Sequence, residues 1–126
     1  MPRVISDKGL KGKAWALHSQ VVRRKAKGVC YTCGDRRPWK EQQAGHFIHK
    51  DCLDHERRNI HCQCVKCNKW LHGNLGEYAN RLIQEYGRNI VDTLTYLGNK
   101  THKFNRDELF DLISKYEKEL AELDDF

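Results

Sequence analysis

The chain has 126 residues, of which 39% are hydrophobic and 32% charged, and its formal net charge is +6. This length fits one domain, residues 1–126, with a modest core, and no apolar run approaches the roughly 18 residues that a membrane span needs. The first residues, "MPRVISDKGLKGKAW", lack the apolar region of a secretory signal, so we expect an intracellular, cytoplasmic protein with no membrane contact.

Charge is distributed unevenly along the sequence. Residues 1–106 contain 21 lysines and arginines against 9 acidic residues, a balance of +12, whereas residues 107–126 contain 2 against 8, a balance of −6. A basic body favours polyanionic partners, because each neutralised phosphate releases condensed counterions. The alternative is a lysine-rich surface that only keeps the protein soluble.

The first predicted element is an N-terminal basic helix within residues 1–28. Apolar residues from Ala14 to Val21 recur at helical spacing in "KAWALHSQVVRRKAK", and Gly28 is a candidate for the residue just past the helix. The helix dipole favours cations at this end, and the same cations are candidates for contacts with phosphate. The two that we assign to DNA binding are Arg23 and Arg24.

Residues 29–75 have a different composition, and we predict that they form a metal-bound core. All six cysteines and five of the seven histidines lie here, and aliphatic residues are too few to order the segment by burial alone. "GHFIHK" and "NIHCQC" are short enough to be strands, and "KCNKWLHG" is a candidate helix start. Helical spacing returns over residues 76–126, which we predict to be C-terminal helices.

The core segment contains two C-x2-C pairs, "CYTC" and "CVKC", with 30 residues between the inner cysteines. Each pair forms a turn that aims two thiolates at one point, so we expect metal ligation rather than redox chemistry or chance. Cys52 and Cys62 are left over as free thiols, with Cys62 as an alternative to Cys64 in the ligand set. The predicted ligands of a structural Zn²⁺ are Cys30, Cys33, Cys64 and Cys67.

Three further residues, His46, Asn59 and His72, are threaded through these pairs in an order that resembles the HNH or ββα-metal nuclease motif. The run "CYTCG…QAGHF…ERRNIHCQCVKCN…GNL" also resembles the NinG/Rap recombination nucleases of lambda-type phages, over about residues 29–93. The resemblance implies an α+β fold, in which a small zinc-stapled ββα-metal (HNH) core is flanked by α-helices.

The resemblance also implies roles for these residues. His46 would be the general base, Asn68 and His72 would hold a catalytic Mg²⁺ or Mn²⁺, and Asn59 would keep the hairpin in shape. Phosphodiester hydrolysis needs such a base, and it needs a cation to neutralise the phosphate and the leaving oxygen. Many HNH enzymes place a further metal ligand just before the base, but here that position is Gly45. The candidates for the missing ligand are water, His49, Asp51 and His61.

Cationic and aromatic residues of the core segment have two interpretations each. Arg57 and Arg58 are candidates to clamp the scissile phosphate, or they are simply solvated. Trp39 and Trp70 are expected to pack against the zinc site rather than to stack on bases. The full set of predicted DNA contacts is Arg23, Arg24, Arg57, Arg58 and Lys66.

The resemblance to the NinG/Rap nucleases implies a metal-dependent, structure-specific endonuclease that hydrolyses phosphodiester bonds in branched DNA, such as Holliday junctions and D-loops, during phage recombination in a bacterial host. The alternatives are a non-catalytic zinc-ribbon module that binds nucleic acid and a general HNH nicking nuclease.

Symmetrical cutting of a junction needs two active sites, so we expect a homodimer. The last helix offers an apolar stripe for pairing, although packing onto its own domain is the commoner use of such a face. Its acidic face should lie away from the DNA-binding arginines. The stripe consists of Leu109, Leu112, Ile113, Tyr116 and Leu120.

Overall fold

Four α-helices and a two-stranded antiparallel sheet form the α+β fold of residues 5–123, which are the residues that the computed structural model describes. Residues 1–4 and 124–126, at the ends of the predicted segments 1–28 and 76–126, lie outside the described residues. In chain order, the elements are α1 (Asp7–Lys25), β1 (Gln43–His46), β2 (Ile60–Gln63), a π-helical turn (Lys66–Trp70), α2 (Leu75–Tyr86), α3 (Ile90–Gly98) and α4 (Arg106–Glu122).

Helix α1 begins where Ser6 caps it, with the Ser6 side chain accepting a hydrogen bond from the Gly9 amide at 3.1 Å. The helix ends at Lys25, and the chain turns away through Gly28, whose φ is +74°. A Cβ at Gly28 would lie 1.8 Å from the carbonyl oxygen of Arg37, so only glycine fits this turn.

Helix α4 packs against α1 within the same chain. Leu10 and Ala14 of α1 form one core cluster with Leu109 and Ile113 of α4, and Tyr116 is only 1% exposed. The apolar stripe of α4 thus has the alternative use, packing onto its own domain, and its residues Leu109, Ile113 and Tyr116 are buried there. These three side chains are already removed from water and are not exposed for pairing with a second copy.

The hairpin lies between α1 and α2. Its two strands pair with Ala44 opposite Cys62 and His46 opposite Ile60. Ala44, Ile60 and Cys62 pack on Val22 of α1, whereas a second core cluster joins Tyr78 and Leu82 of α2 to Ile90 and Leu94 of α3. Within residues 5–123, no helix combines the length and the apolar character that crossing a membrane requires.

Candidate metal centre and candidate active site

The four cysteines of the two C-x2-C pairs lie in one cluster, in which all four sulfur atoms are within 4.8 Å of one another. The Sγ atoms of Cys33 and Cys64 are 3.7 Å apart. A tetrahedral zinc ion with Zn–S bonds of about 2.3 Å places its sulfur ligands roughly 3.8 Å apart. The cluster therefore has the dimensions of a four-sulfur zinc site.

Hydrogen-bond donors contact the sulfur atoms of the cluster. The backbone amides of Asp35 and Cys67 donate to the sulfurs of Cys33 and Cys64, each at 3.4 Å. Burial disfavours the thiolate of Cys30, but hydrogen bonds, led by the one at 3.3 Å from Thr32, lower the pKa of this thiol to about 6. Burial instead raises the pKa of Cys33 to about 12 and also raises the pKa of Cys64. Because metals bind thiolates rather than thiols, zinc binding at this cluster would release protons.

Cys62 is not part of the cluster, which decides between the two possible ligand sets. It is 1% exposed in the core formed with Val22 and Ile60, on the face of the hairpin that packs on α1. Burial raises the pKa of its thiol to about 12. The ligand from β2 and its following turn is therefore Cys64, and Cys62 is a core residue.

The predicted catalytic residues lie on two sides of the hairpin. The ring of His46 stacks on Trp15 of α1 with centroids 4.8 Å apart. Asn68 lies on the other face, where its amide nitrogen donates to Gln43 at 2.7 Å and its oxygen is 3.0 Å from the position of a Cβ on Gly45. Because successive residues of a strand point to opposite faces, the structure does not bring His46 and Asn68 together.

The other two predicted residues have separate positions as well. His72 is exposed and has a φ of +50°, in the turn that follows the π-helical turn. Asn59 is fully buried; its side chain accepts from the backbone amide of Ile48 and donates to the carbonyl of Ile48, both at 2.9 Å. Asn59 thus fixes the loop that leaves β1, immediately after His46.

His46 has a carboxylate partner, Asp54, that is not among the residues predicted from the sequence. Its Nε2–H donates to Oδ1 of Asp54 at 2.9 Å, and the two side chains are 19% and 21% exposed. A neutral imidazole carries one proton, so this bond leaves the lone pair on Nδ1. The pair opens into a cavity of about 300 Å³ that His49, Lys50 and Asp51 also line.

A chain of hydrogen bonds joins this pair to α4. Glu119 accepts two bonds from the guanidinium of Arg57, at 2.8 and 2.9 Å, and Nε of Arg57 donates to Nε2 of His18 at 3.3 Å. Nδ1 of His18 in turn donates to the backbone carbonyl of Asp54 at 2.9 Å. Burial, followed by the charge of Arg57, lowers the pKa of His18 to about 3, which keeps this ring neutral.

Four of the five predicted DNA-binding residues, all except Lys66, already have partners inside the domain. Arg57 pairs with Glu119, and Arg58 donates two hydrogen bonds to Glu56, at 2.9 and 3.0 Å. Arg23 donates to the carbonyl of Ser19 at 3.1 Å. The prediction that the acidic face of α4 avoids these arginines is wrong, because Arg57 is close enough to lower the pKa of Glu119 to about 2.

Arg24 and Lys66 complete that set. The guanidinium of Arg24 donates to Oε1 of Gln20 and to the backbone carbonyl of Leu123, both at 3.5 Å, and lies 5.7 Å from the ring centroid of Trp39. Lys66 is exposed on the π-helical turn, beside the cysteine cluster. The prediction that Trp70 packs against the zinc site is wrong, since 74% of this residue is exposed.

Of the three side chains proposed to complete the catalytic metal site, only His49 lies against His46, with ring centroids 5.2 Å apart. His61 donates from Nδ1 to the hydroxyl of Tyr78 at 3.0 Å, and burial lowers the pKa of His61 to about 4. Asp51 makes a solvent-exposed ion pair with Lys11 at 3.4 Å. His61 therefore supports the hairpin and is not a metal ligand.

The fold and the cysteine cluster define a class: a small α+β domain built around a candidate zinc site, with a histidine–aspartate pair in a neighbouring cavity. The chain belongs to the NinG family, because the family model described as Bacteriophage Lambda NinG protein matches residues 7–125.

Curated relatives agree with this assignment. The chain is 31% identical to Protein ninG of Escherichia phage 933W over an alignment of 111 residues, and this alignment covers 86% of the chain and 54% of the relative. It is 30% identical over 113 residues to Protein ninG of Salmonella phage P22, covering 87% and 55% of the two chains. For Protein ninG of Escherichia phage lambda the identity is 30% over 111 residues, covering 86% and 53%. The chain thus spans about half the length of these relatives, and no solved structure matches it.

Proposed function

We propose that this chain is a metal-dependent DNA endonuclease in which His46 is the general base. The observation that carries the proposal is the His46–Asp54 pair, held at 2.9 Å in an open cavity. The resemblance to HNH nucleases, which rests on the order of the His46, Asn59 and cysteine motifs, supports the same chemistry.

Asp54 and Asn59 prepare His46 for this role. Asp54 accepts the proton of Nε2, so Nδ1 is left to take a proton from water as the water attacks the phosphorus atom. The carboxylate also stabilises the imidazolium that forms, in the manner of other His–Asp pairs. Asn59 keeps the loop after β1 in place through its two bonds to Ile48.

Zinc and a hard cation have different places in this proposal. The cysteine cluster fits Zn²⁺ as a structural ion, for the geometric reasons given above. Asn68 and His72 do not fit a Mg²⁺ or Mn²⁺ beside His46, because Asn68 lies across the hairpin and bonds to Gln43. The carboxylates of the His46 cavity suit a hydrated hard cation that takes further ligands from substrate phosphate. Such an ion, when bound, supplies charge neutralisation at the phosphate and the leaving oxygen.

We further propose that the substrate is branched DNA, such as a Holliday junction or a D-loop, cut in the cytoplasm of a phage-infected bacterium. The resemblance to recombination nucleases supports this substrate. Symmetrical cleavage would use two copies of the chain, one for each strand. The buried stripe of α4 is not the surface that joins them.

A second candidate function is a non-catalytic zinc module that binds nucleic acid. The placement of His46 and Asn68 on opposite faces of the hairpin favours it, since the HNH constellation is not assembled as one site. Among residues 5–123, the cysteine cluster is also the one group of three or more cysteine, histidine or acidic side chains close enough to share a metal ion.

Cleavage assays separate these functions. Purified protein is incubated with labelled linear, forked and four-way DNA, in Mg²⁺, in Mn²⁺ and without added divalent ion. We expect cleavage of branched DNA in the presence of the ion, and a loss of about 100-fold or more for His46→Ala, the usual scale of general-base catalysis. Lys118→Ala, at an exposed residue of α4 that lines neither this cavity nor the adjoining one, serves as the control.

Each outcome has one interpretation. If His46→Ala cuts at the wild-type rate, His46 is not the base. If the wild type binds DNA but cuts none of the substrates with either ion, the non-catalytic module is correct. Equal cleavage of linear and four-way DNA would indicate a general nicking nuclease.

A further inference from the structure

We infer that a cleft between the first turns of α1 and residues 101–106 binds the DNA backbone and leads it to His46. This inference rests on the proposed function. The cleft, called here the lysine cleft, has a volume of about 710 Å³. Its basic lining consists of Lys8, Lys11, Lys103 and Arg106.

The lysine cleft is continuous with the cavity of the proposed base. Asp51 and Asp54 line both cavities, and Asp54 is the residue that holds His46. Lys50 extends the basic lining at the same junction, where it lines the His46 cavity. A phosphodiester strand that lies in the lysine cleft therefore reaches the open side of His46 without crossing another element.

Two of the three acidic groups of the cleft are paired with cations. Asp7 accepts a hydrogen bond from Arg106 and Asp51 pairs with Lys11 at 3.4 Å, whereas Asp54 keeps its charge, because the His46 ring that donates to it is neutral. Lys8, Lys50 and Lys103 remain exposed, and none of the three has an ion-pair partner among residues 5–123. The cleft and its junction thus carry five cationic side chains against three carboxylates, a net charge of +2 that favours a polyanion.

The chemistry of these side chains fits a phosphate backbone rather than base edges. Lysine is a compact charge on a flexible stem, which contacts phosphates of varied geometry and carries no sequence information. The arginines that would read bases or clamp a phosphate in two-pronged fashion are instead bonded to Glu56 and Glu119. Recognition through this cleft would therefore follow the shape of DNA and not its sequence.

The test compares two double variants that remove the same charge. Lys8→Gln/Lys103→Gln removes two lysines of the cleft, whereas Lys115→Gln/Lys118→Gln removes two exposed lysines of α4, outside the cleft. Binding to four-way DNA is measured by fluorescence anisotropy over a range of salt concentrations, without added divalent ion. Thermal melts establish that both variants are folded.

Each lost phosphate contact lowers the slope of log K against log salt by about 0.9, so the cleft variant should lose about 1.8 in slope and bind more weakly. The control variant should keep the wild-type slope. An unchanged slope in the cleft variant, or a loss in the Lys115/Lys118 variant instead, would overturn the inference. If the cleft variant loses slope while wild-type protein cuts no DNA, the cleft stands and the endonuclease proposal fails.

Discussion

Buried His18 should make the fold sensitive to mild acid. His18 is 0% exposed, and burial and the charge of Arg57 lower its pKa from 6.5 to about 3. Between pH 7 and pH 5 the unfolded chain therefore binds a proton at this residue, while the folded chain does not. Where the unfolded state binds more protons than the folded state, the free energy of unfolding decreases as the pH is lowered. Integration from pH 7 to pH 5 gives a loss of about 2 kcal/mol from His18 alone.

The assay is urea unfolding of wild-type protein and His18→Asn at pH 7 and pH 5. Asn keeps a hydrogen-bond donor near the position of Nδ1 but has no proton to gain. The difference in the free energy of unfolding between the two proteins should shrink by about 2 kcal/mol from pH 7 to pH 5. Changes in zinc affinity with pH affect both proteins and cancel. An identical difference between wild type and His18→Asn at both pH values would refute the reasoning.

Three further predictions concern pairs inside the fold. Glu119→Gln should lower the free energy of unfolding by about 2 kcal/mol in urea titrations, because it leaves the half-buried Arg57 without its bidentate partner. Since the folded pKa of Glu119 is about 2, the difference between wild type and variant should persist above pH 4.5 and vanish as the pH falls towards 2. Tyr78→Phe should cost about 1–3 kcal/mol in the same assay, because the carbonyl of Gly45 and Nδ1 of His61 both lose their hydroxyl partner. Cys67→Ser should purify with less than about one zinc per chain by elemental analysis and should unfold at lower urea, whereas Cys52→Ser should keep its zinc.

Local spacing is what made parts of this structure predictable. Two C-x2-C pairs define a ligand set whatever the conformation of the residues between them, and the four cysteines lie together as that pattern predicts. Apolar periodicity likewise predicted α2, which ends at Tyr86 just before Gly87. Both patterns involve only a few neighbouring residues, so they can be recognised without knowledge of the tertiary fold.

Contacts between distant segments were not predictable in this way. The sequence predicts a DNA contact for Arg57 from its charge alone. Its partner Glu119 is 62 residues away in the sequence, so the ion pair could not be predicted before the fold was known. Asp54 was missed for the same reason, since a carboxylate eight residues after His46 has no fixed direction until the loop is built. The strands have four residues each, which is too short for alternation to show that His46 and Gly45 face opposite sides.

The hydrogen-bond chain from α4 to Asp54 constrains how the family can diverge. Replacing Glu119 alone strands a half-buried guanidinium, and replacing Arg57 alone strands a carboxylate beside a neutral His18. Substitutions at these positions should therefore occur together, even among relatives as distant as 30% identity. Lys25 also bonds to Glu119, at 3.3 Å, but it is nearly half exposed and can be lost at little cost. Coordinated change at Arg57 and Glu119, with free variation at Lys25, would be the evolutionary signature of an interaction inherited as a unit.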